Sequence, residues 1–131
     1  MERNEKTRAL LAAFGCALAY LLVGKALTAV LPQVPEEAAR MWAFVHRCAA
    51  APIVEELVFR GAIQQLARPL GERQAVALQA VLFAVQHRDP AGMAYALVCG
   101  LVLGTIRSRT GSVWPGMLLH TLNNLLVFAA G

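Results

Sequence analysis

Charge is what this sequence lacks. Only 15% of its 131 residues are Asp, Glu, Lys or Arg, against about 25% in soluble domains. A chain so poor in ionic groups cannot clothe a water-facing surface, which excludes an ordinary soluble domain. Disorder is excluded from the other direction, by a hydrophobic content of 58% and a mean hydropathy of +0.55; disordered segments are poor in such residues. Cysteine is scarce as well. Cys16, Cys48 and Cys99 lie far apart with no CxxC, so neither a disulfide framework nor a zinc knuckle is legible. No internal repeat or low-complexity tract divides the chain. The net charge of +4, from 12 basic and 8 acidic residues, would raise nucleic-acid binding in a soluble protein. Here the basic residues sit between apolar runs and not along a stripe, so no nucleic-acid partner is expected.

What remains is an all-α, polytopic transmembrane bundle. At about 20 residues per spanning helix, the length allows five crossings or at most six. A polar start, Met1 to Thr7, leads into an apolar run from Ala9 to Val30 broken only by Lys25. Ala17-Leu18-Ala19 could serve as a signal-peptidase site, but the apolar run continues well past it, which favours a retained first helix. Pro32 and Pro35, with Glu36, Glu37 and Arg40, are expected to form the first loop. Residues 1–40 thus make an N-terminal helix and loop, and 41–131 a core. A second helix is expected over Met41–Leu66, stopped by Arg68-Pro69-Leu70-Gly71. A short third follows over Arg73–His87. A fourth starts at Asp89-Pro90, runs to Ile106 and carries Gly100-Leu-Val-Leu-Gly104, whose small-residue spacing lets helix backbones approach. Arg107, Arg109 and Gly111 are read as the next loop, before a fifth helix over Val113–Ala130. Arg3, Lys6, Arg8, Arg68, Arg73, Arg107 and Arg109 fall on one side of such a bundle, and only Arg40 and Arg88 on the other. The excess places the N-terminus in the cytoplasm of a multi-pass protein of the cell inner membrane.

Against this apolar background a few side chains stand out. The second helix contains Glu55, Glu56 and Arg60, and each charge at the centre of a spanning helix costs about 2.5–3.5 kcal/mol on insertion scales. Glu56 and Arg60 are spaced i, i+4 and can pair on one face. Glu55 lies about 100° around the helix, free to point elsewhere. Pro52, one turn earlier, removes a backbone donor and is expected to kink the helix. The spacing recurs in Phe83-Ala-Val-Gln-His87 and in His120-Thr-Leu-Asn-Asn124. A carboxylate, two histidines and an amide converging from three helices read as a hydrolytic site. The carboxylate takes a proton from water, one histidine shares it, and the second histidine with the amide donates to a tetrahedral oxyanion. The alternative is a polar network that packs the bundle together.

Glu55-Glu56-x-x-x-Arg60, Phe83-x-x-x-His87 and His120-x-x-x-Asn124, in that order on separate apolar helices, resemble the signature motifs of the CPBP (Abi) family of intramembrane proteases, which includes the type II CAAX prenyl endopeptidases. The resemblance runs from about Ala51 to the C-terminus. It implies an endopeptidase in which Glu55 and His87 activate water, His120 and Asn124 form the oxyanion hole, and Glu56 with Arg60 is the supporting pair. It implies no cofactor, since there is no HExxH; a zinc-dependent version would use Glu55, His87 and His120. The implied partners are membrane lipid and a hydrophobic or lipidated peptide or protein substrate. Relatives carry more helices, so the chain is either a minimal member or one whose cavity is completed by a second copy or a partner membrane protein. A non-catalytic immunity or scaffold protein is the reading from another class, against which every catalytic position is filled.

Overall fold

Five helices account for nearly all of the computed structural model, which describes residues 2–30 and 34–131. They are α1 (Glu2–Val30), α2 (36–66), α3 (Glu72–Ala84), α4 (Pro90–Thr110) and α5 (Trp114–Ala130), with one 3₁₀ turn at Arg68–Leu70. There is no strand among the described residues, so the all-α bundle of five helices expected from the sequence is the observed fold. α1 and α4 are long and apolar enough to cross a membrane.

α2 begins earlier than its apolar pattern suggests. Pro35 is extended at φ −53, ψ 145, and Glu36 and Glu37 occupy the first helical turn, where carboxylates complement the positive end of the helix. Glu36, Glu37 and Arg40 are therefore helical and not in the expected loop, while Pro32 lies outside the described residues. The expected kink at Pro52 takes the form of a widened turn. Residues His46–Ala50 follow a π-type path, with the Ala51 N–H bonded five residues back to the His46 carbonyl. That extra residue makes room for a proline ring that would otherwise press on the preceding turn. A second π stretch, Glu56–Ile63, carries the Glu56 and Arg60 side chains, and the dihedrals stay right-handed helical at each junction.

α3 stops at Ala84, three residues short of the expected end. Val85 has ψ −8, and His87 lies in a bend with its N–H on the Ala84 carbonyl at 3.0 Å. The start of α4 explains the stop: Asp89 is extended before Pro90 and caps the Gly92 N–H at 2.8 Å, so the chain must leave helix before it. α4 in turn runs past Ile106. Arg107 and Arg109 belong to its last turn and not to a loop, where cations suit the carbonyl end. Gly111 closes it at φ +69, a left-handed geometry in which a side chain is strained.

Packing relies on small residues and amide side chains, as expected where lipid is as apolar as leucine. A Cβ on Gly100 would stand 2.9 Å from the Ala80 Cα, so α3 and α4 touch backbone to backbone. Gln79 seals this contact by donating to the Gly100 carbonyl at 2.8 Å and the Val76 carbonyl at 3.0 Å. Gln64 of α2 does the same to the Gly104 carbonyl and to Ser108 Oγ, both at 3.0 Å. α1 buries only Ala9, Ala13 and Ala17, with Tyr20 edge-on to Phe59 at 5.6 Å. Phe59, Ile63 and Phe83 fill the centre. Outside, Leu11, Leu18, Leu22, Leu118 and Leu126 are each more than half exposed, an apolar surface that water would penalise and lipid solvates.

Candidate active site

The polar side chains that the sequence singles out gather where α2, α3 and α5 meet. Glu55 and Glu56 both face α5, one on each side of the His120 ring. His120 Nδ1 lies 2.9 Å from Glu56 Oε1, and His120 Nε2 lies 3.5 Å from Glu55 Oε2. The same Glu56 oxygen is 3.0 Å from an Arg60 terminal nitrogen. That nitrogen sits at ion-pair distance without an aligned N–H, so the contact is electrostatic and not a formed hydrogen bond. Glu56 and Arg60 are wholly buried. A carboxylate that compensates a guanidinium accepts hydrogen bonds only, which assigns the Nδ1 proton to His120 as donor toward Glu56.

Two neighbours hold this arrangement: Phe83, which opens the Phe83-x-x-x-His87 motif but has no role assigned from sequence, and Gly116, which has none either. Phe83, four positions before His87, presents its ring to the Arg60 guanidinium at 4.5 Å. It also packs edge-on to His120 at 5.8 Å and to His87 at 5.4 Å. Such a ring over a desolvated cation contributes about 2 kcal/mol. Gly116, four positions before His120, is the second. A Cβ there would stand 2.7 Å from Glu56 Oε2, so the absence of a side chain is what admits the carboxylate. A glycine one turn from a polar residue on the same helical face is the pattern that could have revealed it.

Glu55, His87, His120 and Asn124 line one cavity of about 740 Å³, together with Phe83 and Arg47. Glu55 is partly open to it, with 23% of its side chain exposed. His87 stands at the exposed rim, carried there by the bend after α3; it is not enclosed, as a position inside the helix would have made it. Asn124 donates to the Arg47 carbonyl at 2.8 Å and accepts from Asn123 at 3.3 Å. These two bonds fix its amide orientation and leave one N–H free. Among the described residues, no three His, Cys, Asp or Glu side chains are grouped closely enough, as placed, to hold a metal ion. Chemically, the cavity brings a partly exposed carboxylate, an oriented imidazole and an amide donor to one surface within an apolar bundle.

Fold and cavity together define a class, a membrane-type helical bundle with an acid–imidazole centre. Within that class, a family model described as type II CAAX prenyl endopeptidase Rce1-like matches residues 37–126, from the first turn of α2 into α5. The chain belongs to this family, which is membrane-embedded and whose membership implies protease activity. No curated protein and no solved structure matches the chain.

Proposed function

We propose that the chain is a multi-pass endopeptidase of the cell inner membrane that cleaves a hydrophobic or lipidated peptide with a glutamate-activated water. The observation that carries this reading is the cavity shared by Glu55, His87, His120 and Asn124. Glu55 takes a proton from a water held between it and His87, and the water oxygen bonds to the peptide carbonyl carbon. The resulting oxyanion accepts from the free Asn124 N–H and from His120. Because the Nδ1 proton of His120 already points at Glu56, the ring donates from Nε2 only when both nitrogens carry protons, as an imidazolium between two carboxylates. Collapse then breaks the C–N bond, the proton taken from water passes to the leaving amine, and an acid and an amine depart. Each part is of known worth: a positioned general base supplies about 10²–10⁴-fold and an oxyanion donor about 10²–10³-fold.

No metal takes part in this scheme. The carboxylate of Glu55 would move the proton, with His87 on the same cavity wall as its partner, so the scheme needs no metal. The test is cleavage of a lipidated peptide by the purified chain, with and without chelator, alongside Glu55→Gln. The expected result is activity that survives chelation and falls at least a hundredfold in Glu55→Gln, with the melting temperature unchanged. Activity lost to chelator and restored by zinc would overturn the metal-free scheme, and full activity in Glu55→Gln would overturn the assignment of the base.

A further inference from the structure

At the opposite end of α2 from the proposed active site lies a second polar cavity, of about 70 Å³, which nothing in the reaction uses. Arg60, Gln64, Arg68, Glu72, Arg107 and Ser108 line it. Its charges do not cancel. Glu72 is taken up by Arg68 at 3.3 Å and by the Ser108 hydroxyl at 2.5 Å, and Arg60 is compensated by Glu56. Arg107 has no carboxylate partner among the described residues. The hydrogen bonds do not cancel either. Nε and both terminal nitrogens of the wholly buried Arg60, and Nε of Arg107, are buried donors without acceptors; of the three orphan acceptors, Glu56 Oε2, Gln79 Oε1 and Gln64 Oε1, only Gln64 belongs to a residue that lines the cavity.

Water would satisfy such a set poorly, since each molecule must donate about as often as it accepts. An oxyanion only accepts, and a guanidinium fork matches the spacing of its oxygens. Beside the cavity, and sharing Glu72 and Ser108 with it, a groove of about 220 Å³ runs between α3 and α4 past Val76, with Arg73 and Arg109 at its edge. A basic pocket beside a groove between helices, walled by Val76 and the aliphatic parts of Arg73, Thr105 and Arg109, is the form that an anionic phospholipid fits, phosphate inward and chain along the groove.

We propose that this end of the bundle binds a phosphate group, supplied by an anionic phospholipid, between Arg60 and Arg107. The inference is independent of the proposed reaction. It is tested on the purified full chain in detergent by titrating dioctanoyl phosphatidylglycerol, dioctanoyl phosphatidylcholine and inorganic phosphate and following the melting temperature. Phosphatidylglycerol should raise it saturably by several degrees, and phosphatidylcholine should not. Arg107→Gln, and Arg107→Lys as the variant that keeps the charge but loses the fork, should each bind about tenfold more weakly. A rise of equal size with inorganic phosphate alone would keep the site and assign it to the free anion. No saturable rise with phosphatidylglycerol or phosphate, or unchanged affinity in both variants, would overturn the proposal.

Discussion

Glu56 is the residue on which the most depends, because a single oxygen of it meets both Arg60 and His120. Glu56→Gln leaves the Arg60 charge buried with only the Phe83 ring for company, and breaking a buried pair costs on the order of 3–5 kcal/mol. The expected outcome is a lower melting temperature and a poor yield of folded protein. The double variant Glu56→Gln with Arg60→Met removes the stranded charge and should recover most of the melting temperature. Activity should stay low in both, because the Nδ1 proton of His120 has lost the carboxylate that orients it. Melting and turnover measured side by side separate the two effects; a double variant that regained full turnover would show that Glu56 serves stability alone. The pairing itself was legible in the sequence, since i, i+4 spacing is local information. The contact of Glu56 with His120 was not, because it depends on how α2 and α5 cross. For the same reason the role of Phe83, although it opens one of the motifs, and that of Gly116 were not legible: each matters through a neighbour from another helix.

At the scale of elements, apolar runs and breakers sufficed to place five helices in order, and the boundaries moved for identifiable reasons. Acidic residues after Pro35 extended α2 backward, and arginines extended α4 forward, because a polar side chain reads as loop although it suits a helix end. The π turns of α2 had no sequence signal beyond Pro52, since a bond to the fifth residue back needs no special composition. Gly100-x-x-x-Gly104 was legible as a close approach, and the Gln79 and Gln64 bonds to its carbonyls explain why the approach is stable. Gly100→Val should therefore be severe. Its side chain would drive into the Ala80 backbone and separate α3 from α4, releasing the Gln79 amide into an apolar interior. Overpacking of this kind costs about 1–3 kcal/mol, with the lost hydrogen bond added. Thermal melting of the detergent-solubilised variant checks it, and a midpoint within a degree of the parent would show that the bundle yields at this contact.

For the molecule as a whole, orientation decides what can reach the active site. Arg68, Arg73, Arg107 and Arg109 cluster at the end of the bundle where α2 and α4 finish. The proposed catalytic cavity includes Arg40, His46 and Gly131 and so opens at the other end. If the basic end is cytoplasmic, as the positive-inside rule expects, the cavity would face away from the cytoplasm and the proposed substrates would be exported or membrane-bound peptides. An alkaline phosphatase joined after Gly131 should then be active in intact cells and a fluorescent reporter there dark. The reverse pattern would turn the cavity toward cytoplasmic lipidated proteins.

The Glu56–Arg60 pair has one more consequence, and it is electrical. Arg60 borders the basic cavity, Glu55 and His120 border the proposed catalytic one, and Glu56 stands between them. Two polar hollows at opposite ends of a helical bundle would short-circuit a membrane potential if a chain of waters joined them. Between the two hollows stands a wholly buried ion pair, with neither partner exposed to water. On the proposed reading, the water used for hydrolysis would stay on one side of that pair, and the bundle would remain an insulator.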